Sequence, residues 1–164
     1  MLERLYEHAR GEVEEDLAAV LATLSHHPVY RVRSQGPEMN PVGMDAVRKF
    51  YVEQIFGKGR HIIESVKDRI IVADDAIITE GVVRVVLWGR DLIDQGNPAV
   101  DVPDGCYLMT YNSLIVWPYD EQGRIIGEES WSQYPKDCLR RIDPANAPES
   151  FRRYVERRQR QMAA

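Results

Sequence analysis

The chain has 164 residues, of which 44% are hydrophobic and 29% are charged, and its formal net charge is -5. This length and composition are typical of one soluble globular domain with its own hydrophobic core. The acidic balance argues against a nucleic-acid partner for the domain as a whole. No apolar run approaches the roughly 20 residues that a membrane-spanning helix needs, so no membrane partner is expected.

The two cysteines, Cys106 and Cys138, show no spacing typical of a metal site or a redox motif. They are predicted to be free thiols in a reducing compartment. The chain begins with an acidic, helix-like segment rather than a signal peptide. A cytoplasmic location is therefore the expectation, and no metal site is expected.

Residues 2–24 carry the clearest helical pattern of the chain. Apolar side chains recur every three or four residues, and acidic side chains occupy the opposite face. Gly11 is the weak point of this predicted helix, because glycine costs about 1 kcal/mol relative to alanine in a helix interior. Pro28 disfavours helical backbone at His27, so the helix is predicted to end at residues 25–28.

A short strand over residues 29–33 is predicted next, followed by a loop that contains glycine and proline. A second helix is predicted from Gly43 to Ile55, just before Gly57. Its apolar face is wide, which indicates burial on two sides.

From residue 61 the hydrophobic pattern changes to a period of two, which is typical of β-strands. One strand is predicted to end at a turn at Asp74-Asp75, and a long strand follows from Ala76 to Trp88. Residues 89–105 are rich in glycine and proline and are predicted to form a long loop.

Cys106 to Tyr134 is predicted to form a hairpin of two long strands around a tight turn at residues 120–123. A terminal helix is predicted from Glu149 to Met162. Helices followed by a meander of strands predict an α+β fold. A curved, mostly antiparallel sheet would wrap the N-terminal helices and enclose a cone-shaped pocket. Residues 1–138 are predicted to form this domain, and residues 139–164 a C-terminal extension that contains the terminal helix.

Three stretches resemble the nuclear transport factor 2-like superfamily, in particular its SnoaL-like branch. They are His27-Pro28-Val29-Tyr30, the run from Pro41 to Tyr51, and Gly123-Arg124-Ile125-Ile126-Gly127-Glu128-Glu129. The resemblance implies a cone-shaped fold with a deep apolar pocket, usually in a homodimer formed through the sheet. The superfamily includes ketosteroid isomerases, limonene epoxide hydrolases, scytalone dehydratases and polyketide cyclases, and also binding proteins without catalysis, so the fold alone does not give the function.

Most catalytic residues of these enzymes are missing from the matching positions. The region where ketosteroid isomerases carry their base corresponds to Val32-Arg33-Ser34, which contains no acid. The places of the epoxide hydrolase triad hold Gly81, Val83 and Ser130. Only Thr110-Tyr111-Asn112 resembles a known motif, the hydroxyl-x-Asn pair of scytalone dehydratases.

The alignment with epoxide hydrolases directs four side chains of the last long strand into the cone: Ile126, Glu128, Ser130 and Ser132. Glu128 would then be a carboxylate at an apolar wall, suited to general acid or base catalysis. The alternative is structural, with Glu128 paired to an arginine such as Arg84 or Arg31.

Asn112 and Thr110, on the neighbouring strand, are predicted to assist Glu128 by orienting a water or a substrate carbonyl. Tyr30, Tyr51 and Ser130 are predicted to contact the substrate. Tyr51 is favoured among the aromatic residues because its helix closes the cone.

Three functions follow from these predictions. The first is a cofactor-independent isomerase, dehydratase or hydrolase that acts on a small hydrophobic molecule. The second is a non-catalytic ligand-binding or dimerisation module of the same fold. The third is a nucleic-acid accessory protein that acts through the arginines of residues 152–160, although a basic run without interleaved aromatic residues is more often a solvated or packed helix face.

Overall fold

The computed structural model describes residues 1–33, 36–57 and 61–163, with the side chains of Glu38, Ile62 and Ile63 excepted. Within these residues the α-helices are α1 (Leu2–Glu14), α2 (Leu17–Ala22), α3 (Met44–Phe50), α4 (Gly89–Asp94) and α5 (Glu149–Ala163). A π-helix, Tyr51–Ile55, continues α3, and two short 3-10 helices span Pro37–Met39 and Pro144–Asn146. The strands are β1 (Leu24–Val32), β2 (His61–Val72), β3 (Ala76–Trp88), β4 (Cys106–Pro118), β5 (Ile125–Gln133) and β6 (Leu139–Ile142).

The strands form one sheet in the order β1-β5-β4-β3-β2, and β6 pairs with β4. Strand β1 runs parallel to β5, and every other pairing is antiparallel. The sheet curves around the N-terminal helices, which confirms the predicted α+β fold. No helix among the described residues is long and apolar enough to cross a membrane.

The predicted first helix is two helices, because the chain turns back at Glu15 and Asp16. Glu15 adopts a left-handed conformation with φ 57°, and the Asp16 carboxylate caps α2 by accepting from the Ala19 amide at 3.0 Å. Gly11 lies where the two helices meet, since a β-carbon there would lie 2.9 Å from Val20 Cγ2. The glycine that weakens one long helix therefore allows close packing of two short ones.

Strand β1 begins earlier than predicted. Residues 25–28 are part of the strand and do not end a helix. Pro28 is tolerated because β1 is the outer strand of the sheet, where a missing amide donor costs little. On the side facing β5, a β-carbon on Gly127 would lie 1.8 Å from the Val29 carbonyl oxygen, so this glycine permits the parallel pairing.

One α-helix and one strand in the second half of the chain were not predicted. The loop of residues 89–105 begins with the short helix α4, and β6 extends the sheet beside the first half of β4. Strand β6 has only four residues, and a pattern of that length carries little periodicity.

Helix α5 packs on the sheet through Phe151 and Tyr154, which belong to a buried cluster with Val86, Trp88 and Leu108. The Tyr154 hydroxyl donates to the Asp91 carboxylate at 2.8 Å, which joins α5 to α4. Three of its arginines pair with acids: Arg153 with Glu149, Arg158 with Asp91 and Arg160 with Glu156. The division of the chain at residue 138 remains a prediction.

Candidate functional site

A cavity of about 220 Å³ lies between α1, the π-helix and the inner face of the sheet. Its walls are mostly apolar, with Leu5, Phe50, Ile55, Ile115 and Trp117 among the side chains that form them. Polar side chains line the remainder. Since an apolar enclosure with a few placed polar groups is the usual form of a ligand site, this cavity is the candidate functional site.

Strand register decides which side chains of β4 and β5 reach the cavity. Ser132 lies opposite Ser113, and Ser130 lies opposite Ile115. Directly opposed residues point to the same side of a sheet, so these four share the inner face. Glu128, two residues before Ser130, also lines the cavity, as the sequence predicted for this strand.

The predicted helpers of Glu128 do not lie beside it. Thr110 and Asn112 alternate with the cavity-lining Tyr111 and Ser113, so they point to the opposite face of β4. Asn112 is exposed there, and its amide donates to Gln133 at 3.5 Å. Even-numbered residues of both strands were predicted to point into the cone. The observed register makes that arrangement impossible.

Two of the three predicted substrate-binding residues line the cavity, and the third does not. Tyr51 and Ser130 line the cavity. Tyr30 is buried behind Tyr51, and the two hydroxyl oxygens lie 3.1 Å apart. Tyr30 therefore contacts the site through Tyr51 rather than facing the cavity itself.

Neither arginine suggested as a partner for Glu128 pairs with it. Arg84 binds Glu64, and Arg31 binds Glu129 at 2.6 Å. The Glu129 carboxylate also binds Arg33 at 2.9 Å on the outer face of the sheet, and these arginines lower its pKa.

Four polar groups meet at one end of the cavity: Glu12, Tyr51, Lys67 and Glu128, here called the polar cluster. The Tyr51 hydroxyl donates to Glu12 Oε1 at 2.9 Å. Burial lowers the pKa of Lys67, whereas the charges of Glu12 and Glu128 raise it. The same two carboxylates, together with burial, hold the pKa of Tyr51 well above its usual value. Both acids therefore act on the same end of the cavity.

No protein-family model and no curated protein matches the chain. Solved structures do match it. A structure assigned as a SnoaL-like polyketide cyclase from Shewanella denitrificans has a TM-score of 0.63 and 9% identity, covering 80% of this chain and 89% of its own. A nuclear transport factor 2-like protein from Burkholderia thailandensis has a TM-score of 0.55 and 16% identity, covering 80% and 88%. A computationally designed 17-OHP binder has a TM-score of 0.57 and 12% identity, covering 87% and 95%.

The chain has the nuclear transport factor 2-like fold. The resemblance predicted from the three sequence stretches is thus confirmed at the level of the fold. At these identities the likeness carries no residue roles, so the site has to be read from its own geometry.

In this nuclear transport factor 2-like fold the first helix closes the cone, and it brings two residues to the site that the sequence analysis did not single out. Glu12 lines the cavity, and His8, one helical turn earlier, is completely buried beside it. His8 Nε2 lies 3.1 Å from the Tyr51 hydroxyl and 3.7 Å from Glu12 Oε1. His8 Nδ1 lies 2.7 Å from Thr23 Oγ1. A histidine and a glutamate four residues apart on the apolar side of a helix were the available signal.

His8 predicts a loss of stability in mild acid. Burial lowers its pKa to about 4 from the ordinary 6.5, so the folded protein binds fewer protons than the unfolded chain between these values. Stability contributed by neutral His8 should be present above pH 6.5 and fall towards pH 4, by about 3 kcal/mol in total. Urea unfolding at pH 7 and pH 4.5 measures this. A His8→Gln variant should lose less stability than the wild type over this interval, and an equal loss would contradict the assignment.

Proposed function

We propose that this protein binds a small, largely apolar molecule with an oxygen-bearing end, and isomerises, dehydrates or hydrolyses it without a cofactor. The observation that carries the proposal is the polar cluster in a cavity whose walls are mostly apolar. Apolar walls provide most of the binding free energy, and a few polar groups fix the orientation of the ligand.

The size of the cavity supports a small ligand. Sites for drug-sized molecules measure roughly 300–1,000 Å³. At about 220 Å³, this cavity fits a compact molecule of one or two rings more readily than a large one. The oxygen-bearing end of that molecule would lie at the polar cluster, because an unpaired polar group against the apolar walls would be costly.

The polar cluster contains the groups that acid–base chemistry requires. Glu128 is the proposed acid or base, because it lies within strand β5 and lines the cavity. Tyr51 and Lys67 are positioned to stabilise negative charge that develops on a ligand oxygen. Tyr51 and Lys67 take the assisting role that was predicted for Asn112 and Thr110.

A non-catalytic ligand-binding or dimerisation module is the second candidate. One matched structure, the designed 17-OHP binder, is described as a binder. On the outer face of the sheet, Leu114 lies opposite Trp131, and both are exposed, which favours a homodimer formed through this face. The free thiols Cys106 and Cys138 favour a reducing location such as the cytoplasm.

Filling the cavity should abolish ligand binding. Ser113→Leu places a larger apolar side chain on the inner face of β4, so we expect it to weaken binding of 2-naphthol, a two-ring aromatic alcohol, at least tenfold. Asn112→Leu makes the same addition one residue away on the outer face and should leave the affinity unchanged. Fluorescence titration of both variants and the wild type measures the dissociation constants.

The outcomes separate the candidates. Equal affinities for the two variants, or no binding by the wild type, would contradict the cavity as a ligand site. Binding that Ser113→Leu alone weakens, with no turnover of any tested ketone, alcohol or epoxide, would favour the non-catalytic module.

A further inference from the structure

Three serine side chains line the cavity in addition to the polar cluster, on the inner face of strands β4 and β5. They are Ser113, Ser130 and Ser132, here called the serine patch. Ser113 and Ser130 are only 8% and 5% exposed, so these two side chains meet the cavity rather than bulk solvent. The acid–base chemistry proposed above uses none of the three.

The hydroxyls of the serine patch form no side-chain hydrogen bond within the part of the chain that the structure describes. Ser132 lies directly opposite Ser113, where serines can bond across strands, yet no hydrogen bond joins this pair. Ser130 lies opposite Ile115, whose side chain has no polar atom. Because a buried hydroxyl without a partner is costly, we expect a molecule that enters the cavity to supply the missing hydrogen bonds.

The chemistry of the serine patch selects a neutral oxygen. A serine hydroxyl both donates and accepts hydrogen bonds, so it can bind a hydroxyl or a carbonyl oxygen. Water can occupy such a place in an empty cavity, and a ligand oxygen can then replace that water and its hydrogen bonds. A methyl group in the same place would displace the water without replacing those bonds.

Strand geometry gives the distance between the serine patch and Glu128 of the polar cluster. Each residue of a strand rises roughly 3.4 Å, and every second residue points to the same face. Ser130 therefore lies about 7 Å along β5 from Glu128, and Ser132 about 13 Å. A molecule of one or two fused rings spans this separation, which agrees with the size of the cavity.

Two tyrosines line the cavity beside the serine patch. Tyr111 precedes Ser113 by two residues on β4, and Tyr134 follows Ser132 by two residues. Their rings stack with centroids 4.9 Å apart and planes 31° from parallel. A flat ring that extends from Glu128 to the serine patch would therefore meet an aromatic surface beyond it.

We propose that the ligand carries a second neutral oxygen, a hydroxyl or a carbonyl, and that Ser113, Ser130 and Ser132 bind it. This role rests on the proposed function, which places the first oxygen at the polar cluster. The substrate class is then a flat molecule of one or two rings with an oxygen function at each end. The serine patch determines specificity, because a site that hydrogen-bonds a ligand hydroxyl discriminates against an analogue without one.

Two ligands of nearly the same shape test the second oxygen. Naphthalene-2,6-diol carries it, and 6-methyl-2-naphthol has a methyl group in its place. The wild type should bind the diol about tenfold more tightly, which corresponds to the net contribution of one or two hydrogen bonds. Fluorescence titration gives both dissociation constants.

Removing the hydroxyls should abolish this preference. A variant that combines Ser113→Ala, Ser130→Ala and Ser132→Ala should bind the methyl compound at least as tightly as the diol, because the diol oxygen loses its partners. Thr110→Val removes a hydroxyl from the outer face of β4 and is the matched control, for which the preference should stay about tenfold. If the triple variant does not fold, each single replacement should lower the preference.

A wild type without a preference for the diol would overturn the proposal, since the serine patch would then hold water only. Alanine variants that keep the full preference, or an equal loss in Thr110→Val, would overturn it as well. In each of these cases 2-naphthol would still bind, and Ser113→Leu would still weaken it. Failure of the proposed function is a different result, in which 2-naphthol does not bind or does not respond to Ser113→Leu, and it would overturn both proposals.

Discussion

Replacing Glu128 with glutamine is expected to leave the fold intact and to lower turnover by about 100-fold or more, the usual contribution of a general acid or base. Glutamine has nearly the same shape but neither gives nor takes a proton at neutral pH. The substrate for this measurement would be chosen from β-hydroxyketones, enones and epoxides small enough for the cavity. Steady-state rates of wild type and variant give the loss directly.

Glu129→Gln is the matched control. Glu129 is the next residue on β5 and points to the outer face, where it pairs with Arg31 and Arg33. We expect its replacement to leave turnover within a fewfold of the wild type, because surface ion pairs contribute little. Unchanged turnover in Glu128→Gln would refute the assignment, and an equal loss in both variants would indicate a structural effect on β5.

Phe151→Ala is expected to lower the free energy of unfolding by about 3–5 kcal/mol, the usual cost of truncating a buried phenylalanine. Phe151 is only 4% exposed and packs against Trp88 and Leu108 in the cluster beneath α5. Its ring also meets the buried His61 ring at the start of β2, with centroids 5.8 Å apart and planes nearly perpendicular. Urea unfolding followed by tryptophan fluorescence measures the change.

Arg153→Ala, two residues further along α5, is the control. Arg153 is exposed and pairs only with Glu149 on its own helix among the described residues, so the loss should stay within about 0.5 kcal/mol. A small change in the free energy of unfolding of Phe151→Ala would show that the packing of α5 adds little to the stability of the protein. Two separate unfolding transitions would support the predicted division at residue 138.

Much of the fold follows from local patterns in the sequence. A period of two over residues 76–88, bounded by Asp74-Asp75 and Gly89, predicts β3 with the bounds that the structure shows. The long hairpin and the terminal helix α5 were predicted for the same reason. Each is long enough for its periodicity to be unambiguous, and each ends at residues that favour turns.

Local sequence patterns did not predict the short strand β6 or the sharp turn between α1 and α2. The break between α1 and α2 leaves the helical spacing of residues 2–24 almost intact, because both short helices bury apolar faces against the same core. Only the packing of Gly11 against Val20 shows that the chain folds back there. Strand β6 forms because its backbone pairs with the first half of β4, and its four residues would not form a stable strand without this pairing.

The sequence by itself determined the fold class, the long strands and the presence of Glu128 and Tyr51 at the cone. The resemblance to epoxide hydrolases, together with alternation along β5, placed Glu128, and the helix before the sheet placed Tyr51. The tertiary structure decided which residues accompany them. The register of β4 against β5 turned Thr110 and Asn112 outward, and the packing of α1 brought His8 and Glu12 to the cavity. Register and helix packing depend on contacts between distant parts of the chain, and local periodicity carries no information about them.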